Sequence, residues 1–159
     1  MRVATHTRPA WRDRANFLIR ALLPEDGEAE RLWARQISAT TFEVCCIPFF
    51  AYDLALGDVV ETDTDYRLSQ VLERSGRQVI RVWFGGADPA TPTGPVADTL
   101  LTLGATIEWS SAHLLAVDAE SPAIHDAVWR YLETELALGR LTFEQAAPQL
   151  DRDTSVGRW

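Results

Sequence analysis

Three groups of side chains in this sequence are equipped for chemistry. Asp58, in the turn Leu56-Gly57-Asp58, comes near Glu43 or Glu61 in a hairpin. Two carboxylates held together repel, which raises one pKa toward the general-acid range. Arg81 and Trp83 alternate along the run 78–84, and Glu108 falls in a second strand-like run, 105–110. An arginine beside an indole, with a carboxylate in reach, makes a recess for a carboxylate or a planar ligand. Phe50 and Tyr52, in the aromatic loop after Pro48, are candidate walls of such a recess. His113, close behind Ser110 and Ser111, is a candidate general base. Each group also has a plainer reading. Gly-Asp before Val-Val is ordinary turn chemistry, and the aromatics serve as core. An Arg81–Glu108 ion pair needs no ligand, and no acid stands where sequence alone would orient His113.

Other chemistries are excluded. All 15 basic residues are arginine, so neither a Schiff-base lysine nor a P-loop lysine exists. Cys45 and Cys46 are adjacent, and neighbours on a strand point to opposite faces. They can neither share a metal nor form an unstrained disulfide, and they read as one buried small hydrophobe and one half-exposed thiol. His6, His113 and His125 lie far apart, outside any metal-binding spacing. No metal and no cofactor is expected.

These groups need elements to position them. Residues 1–14 are polar and arginine-rich without periodicity, which predicts a loose arm. Strand candidates follow at 15–23, 31–37, 41–47, 58–62, 66–73 and 78–84, separated by the turn signals Pro24-Glu25-Asp26-Gly27, Asp63-Thr64-Asp65 and Ser75-Gly76-Arg77. The segment 28–37 is rich in helix formers yet runs into the next strand. Short strands at this spacing suggest a small barrel or a strongly bent antiparallel sheet over 15–77.

From residue 78 the period changes. A Gly/Pro/Thr loop at 85–94, a mobile lid or plain connector, leads to Pro95 at a first helical position, with Val96, Leu100 and Leu103 on one stripe before Gly104. A hairpin is expected at 105–110 and 113–119. Ser121-Pro122 opens a second helix over 122–138, and 141–145 is a last strand. The order β-α-β-β-α-β over 78–146 is the ferredoxin-like arrangement, followed by a tail at 147–159. The fold class is therefore α+β, with the N-terminal sheet packed on the ferredoxin-like unit. In the run 78–84, Ile80, Val82 and Phe84 share the face toward the helices, and Val79, Arg81 and Trp83 face away from them.

An ordered set of short motifs resembles one family. It comprises Glu30-x-Leu32-Trp33-Ala34, Phe42-x-Val44, Ile47-Pro48-Phe49-Phe50-Ala51, Leu56-Gly57-Asp58-Val59-Val60, Ser75-Gly76 and Arg81-Val82. Together they are similar to the bacterial domain-of-unknown-function family 4265 over about residues 28–145. The family pattern has asparagine before Ile-Pro-Phe, where this chain has Cys46. The resemblance implies no reaction and no cofactor.

With 159 residues, 47% of them hydrophobic, the chain fits one domain or two half-domains sharing a core. A net charge of −8 repels nucleic acid and anionic lipid. No apolar run is long enough to span a membrane, and the opening residues carry no secretory signal pattern. A cytoplasmic location is expected. The first functional reading is a small soluble binding or interaction module, accessory or immunity-like, that recognises a small ligand or a protein partner through Arg81, Trp83, Glu108, Phe50 and Tyr52. The alternative is a small metal-independent acid/base enzyme, an isomerase, cyclase or lyase of a biosynthetic pathway, using Asp58, Glu43 and His113 with Arg81 as anion clamp. A face carrying Val79 and Trp83, if uncovered, would suit a homodimer.

Overall fold

The structure is a computed structural model and describes residues 2–24, 27–85 and 93–149. Within them lie ten strands in two sheets and two helices. In chain order these are β1 (Arg2–Ala4), β2 (Phe17–Leu22), β3 (Glu28–Gln36), β4 (Thr41–Val44), β5 (Val59–Thr62), β6 (Leu68–Glu73), β7 (Gln78–Trp83), α1 (Thr93–Thr102), β8 (Thr106–Trp109), β9 (Leu114–Ala119), α2 (Pro122–Ala137) and β10 (Thr142–Ala147). Residues 25–26, 86–92 and 150–159 lie outside the described residues, and with them parts of the first turn signal, the 85–94 loop and the tail.

The first sheet is organised by β3, nine residues long. Antiparallel β2 runs along one edge, from Phe17 opposite Ala34 to Leu22 opposite Ala29. The other edge is shared by β1, parallel at Glu28–Glu30, and β4, antiparallel at Ala34–Gln36. β5 and β6 continue outward. Three partners override the helix-forming composition of 28–37. The sheet curls until Arg20 meets Arg67 in a single isolated bridge, with Arg20 N donating to Tyr66 O at 2.9 Å. One bridge is not a ladder, so the barrel alternative is corrected to a bent sheet that keeps its edges.

The second sheet has the order β10-β7-β9-β8, antiparallel throughout. α1 joins β7 to β8, and α2 joins β9 to β10. Ser121 caps α2 by accepting from Ile124 N, with Pro122 in the first turn. Both helices cover one face, where Ile80, Val82 and Phe84 pack with Val96, Leu100, Val128 and Leu132. The opposite face meets the first sheet. There Val79, Ala116 and Ala146 pack against Ile47, Phe49 and Leu56, which come from the segment linking β4 to β5. The face offered above as a homodimer surface is thus covered from within, and Val79 is fully buried.

The expected loose arm is also replaced by structure. β1 pairs with β3, His6 is buried, and Trp11 N donates to Cys45 O at 3.0 Å. Polar composition misleads here because a single buried polar side chain, His6, and backbone pairing tie the segment down while Thr5, Thr7, Arg8, Arg12, Asp13 and Arg14 stay exposed.

Gly57 illustrates how tightly the linking segment is set. Its φ of +84° is left-handed, and an added Cβ would stand 3.0 Å from Ser75 Cβ and 3.1 Å from the Trp11 ring. Gly57→Ala is expected to cost about 1–3 kcal/mol, read as a lower urea midpoint at unchanged slope. A midpoint equal to the wild type's would show that this turn is not constrained.

Candidate functional site

Strand register lines up the functional groups between the sheets. Glu144 on β10 is opposite Arg81 on β7, Arg81 is opposite Ala116 on β9, and Ala116 is opposite Glu108 on β8. Alternation therefore places Arg81 and Glu108 on the face the sequence indicates. It does not pair them, because Ala116 stands between, so the expected Arg81–Glu108 ion pair is corrected. Each takes other partners.

Glu108 belongs to a buried charged clasp. His6 lies between two carboxylates, with Nδ1 2.8 Å from Glu108 Oε1 and Nε2 2.6 Å from Glu30 Oε2. Glu30 also accepts from Phe49 N at 2.7 Å, Phe50 N at 3.0 Å and Ala51 N at 2.9 Å. Glu108 Oε2 accepts from Ile47 N at 2.6 Å and Ala10 N at 3.1 Å. With so many N–H donors converging, the carboxylates act only as acceptors, and both ring nitrogens must donate. His6 is an imidazolium. Burial alone would lower its pKa, but hydrogen bonds with Cys46, Glu108 and Glu30 push it up to about 12. Glu30 is held below the ordinary carboxylate value, burial being outweighed by His6 and by the Phe49 and Phe50 amides. Burial pushes the Cys46 thiol up, so beside His6 it stays a neutral thiol. Phe49 stacks on the imidazolium at 3.9 Å and 9°.

Arg81 is 3% exposed. Its Nη1 donates to Phe49 O, and the guanidinium carbon lies 4.0 Å from the Tyr52 ring centre. Glu144 Oε1 stops 3.7 Å from Arg81 Nε and accepts from the Tyr52 hydroxyl at 2.6 Å. Arg81 Nε and Nη2 make no hydrogen bond, nor does Thr142 Oγ1 beside Trp83 on the neighbouring strand. Burial draws the Arg81 pKa down against the opposing pull of Tyr52, Glu144 and Glu30. Nε–H and one Nη2–H point the same way from the rigid guanidinium, so the unmet donors form one side-on fork. Trp83 is half-buried and folds back over Gly85, leaving no room for a Cβ there.

The other candidates fall elsewhere. Glu43 is opposite Val59 and shares its face, so Asp58, one residue earlier, points away from it. The expected carboxylate pair does not form. Glu43 is gripped by Arg14 and Arg35; burial pulls its pKa up, yet these arginines hold it below the ordinary value. Asp58 staples its own turn, accepting from Ala55 N at 2.9 Å and Ser75 N at 2.8 Å, and burial raises its pKa against those bonds. It lines a cavity of about 400 Å³ with Asp53, Arg74, Arg77 and Gln78. His113 is exposed, its ring 6.1 Å from Trp83. Phe50 borders a second cavity, of about 430 Å³, with Thr5, Glu28 and Ser110. Cys45 and Cys46 are both buried and free, so neither is half-exposed. Among the described residues no cluster has the makings of a metal site, and no helix is long and apolar enough to cross a membrane.

Sequence reasoning missed His6, Glu30 and Glu144. The available signal was parity. Glu30 alternates with Leu32 and Ala34, and Glu144 with Ala146, positions that are buried in β3 and β10.

Two sheets with buried charge between them, and two helices on the outer face of one, define an α+β protein with an inter-sheet polar site. The chain belongs to the family described as a domain of unknown function (DUF4265), whose profile matches residues 30–143. It is similar in fold to a solved structure titled "Novel crystal structure of a hypothetical protein from Neisseria gonorrhoeae", at 16% identity and a TM-score of 0.69, over 84% of this chain and 96% of that one. No curated protein matches the chain.

The clasp sets a pH dependence. The His6 pKa is raised from 6.5, so its contribution is complete below pH 6.5 and fades as pH rises toward about 12. The Glu30 pKa is lowered from 4.5, so its contribution is present above pH 4.5 and fades on acidification. His6→Gln is expected to cost about 3–5 kcal/mol. The loss should be greatest in the window these two values bound and smaller at alkaline pH. Denaturation of both proteins from pH 4 to 10 checks this; a difference that grows with pH would refute the imidazolium assignment.

Proposed function

We propose that this protein is a small bacterial binding module of the cytoplasm, and that Arg81 anchors its ligand. The C-terminal half is read as ferredoxin-like, supported by its β-α-β-β-α-β order and the sheet order β10-β7-β9-β8. One observation carries the functional reading: a guanidinium almost wholly removed from water leaves the Nε/Nη2 fork unfilled. Buried donors without partners are costly, and native proteins keep few of them.

The chemistry of the ligand follows from charge. Glu144 lies 3.7 Å from the guanidinium and Glu30 also acts on it, so the cation has its counter-charge already. A second carboxylate would be repelled. The fork therefore suits an uncharged planar group with two adjacent acceptor atoms, seated against the aromatic rings of Tyr52 and Trp83. The acid/base alternative has weaker support, since both oxygens of Asp58 are committed to backbone amides and Glu43 is bound by two arginines.

Guanosine, with its adjacent O6 and N7 acceptors, and benzoate, its charged counterpart, are suitable probes. Titration followed by NMR is expected to give saturable shifts at Arg81, Tyr52 and Trp83 with guanosine, and weaker ones with benzoate. Arg81→Lys keeps the charge but loses the fork, and should weaken guanosine binding by about tenfold or more. Absence of saturable shifts with either probe would remove the support for this reading.

A further inference from the structure

Glu144 and Arg81 are cross-strand partners on the same buried face. An arginine and a glutamate so placed ordinarily close into a bidentate pair with N···O near about 2.8 Å. Here Glu144 Oε1 remains 3.7 Å from Arg81 Nε, outside hydrogen-bonding geometry. The same oxygen accepts from the Tyr52 hydroxyl at 2.6 Å, while the Tyr52 ring covers the guanidinium at 4.0 Å. Two donors, one phenolic and one cationic, face this carboxylate; its oxygens could accept from both, yet only the phenol is within hydrogen-bonding distance, and its direction sets where the carboxylate sits.

The phenol can set that direction because its backbone is pinned on both sides. Glu30 accepts from the amides of Phe49, Phe50 and Ala51. On the far side Asp53 N donates to Ala146 O at 2.7 Å, and Arg74 donates to Asp53 O at 2.5 Å and to Asp53 Oδ2 at 2.8 Å. Asp53 itself takes a left-handed φ of 58°, a conformation that persists in a non-glycine residue only when its surroundings over-determine it. The Tyr52 side chain therefore springs from a fixed point, and its hydroxyl draws Glu144 away from the fork.

We infer that Tyr52 is a positioning residue whose hydroxyl keeps the Arg81 fork unpaired by holding Glu144 off it. This deepens the binding reading and rests on it for what the unpaired fork serves; the placement of Glu144 is a matter of geometry alone. Without the hydroxyl, Glu144 Oε1 loses its 2.6 Å partner, and the unmet Nε–H and Nη2–H become its nearest cationic donors. Glu144 then fills the fork as an internal ligand, and the site closes.

Tyr52→Phe in the full chain tests this, since it keeps the ring and removes one oxygen. Arginine side-chain NMR is expected to show Arg81 Nε–H exchange with water slowed by about tenfold, as for a donor newly engaged in an ion pair. Guanosine binding should weaken by about tenfold in the same variant, and adding Glu144→Gln should restore both readouts to near wild type. A residue with a merely structural role would lower the melting temperature and leave Nε–H exchange unslowed. Exchange in Tyr52→Phe equal to or faster than wild type overturns the inference. Slowed exchange in a protein that never binds guanosine sustains the positioning role of Tyr52 while removing the binding reading.

Discussion

An imidazolium held between two buried carboxylates joins the parts of this protein that regular secondary structure does not. Glu30 comes from the first sheet, Glu108 from the second, and His6 from the segment that follows β1. Buried ion pairs are not in general a source of stability, because desolvation offsets their attraction. The reason for these charges lies in the backbone they satisfy. The amides of Ala10, Ile47, Phe49, Phe50 and Ala51 sit in irregular chain at the sheet interface, and the two carboxylates stand in for the missing ladder. A hydrophobic replacement of the three side chains would leave those N–H groups with nothing to bond. Charge here is a means of folding a loop inside a protein, and His6 makes that charge tolerable.

The site inherits its geometry from this arrangement. Because Glu30 fixes residues 49–51, the Phe49 carbonyl is available to Arg81 Nη1, and Tyr52 is launched over the guanidinium. Because β10 and β7 are in register at Glu144 and Arg81, a carboxylate is at hand to balance the cation. The balance is incomplete in hydrogen bonds though not in charge. That distinction separates Arg81 from Glu43 with Arg14 and Arg35, where carboxylate and guanidinium meet directly near solvent.

Much of this was legible in the sequence where the information is local. Alternation in 78–84 assigned Ile80, Val82 and Phe84 to the helices and Arg81 to the opposite face, because period two is intrinsic to a strand. Ser121-Pro122 and Gly104 marked helix ends for equally local reasons. The clasp was not legible. His6 meets its partners 24 and 102 residues away, and nothing in a polar, aperiodic run signals that a histidine will be buried. Register was the other missing quantity: whether Glu108 or Glu144 faces Arg81 depends on strand order, which alternation does not supply. Asp58 and Glu43 failed for the same reason, being near in the hairpin but on opposite faces of it.

The position of His6 relative to the family bears on what the fold requires. The match begins at residue 30 and runs to 143, so it includes both Glu30 and Glu108 but not the cation between them. A buried carboxylate pair without that cation would carry uncompensated charge at the sheet interface, the arrangement that costs most in a protein interior. The segment before the match is therefore integral to the two-sheet core in this chain. β1 adds a strand to the edge of β3, Trp33 Nε1 donates to His6 O at 3.0 Å, and Arg12 lies 4.1 Å over the Trp33 ring. The Trp33 bond anchors the backbone of His6, as the two carboxylates anchor its ring. β3, with Glu30 and Trp33, thus supplies both the anion that needs His6 and the indole that positions it.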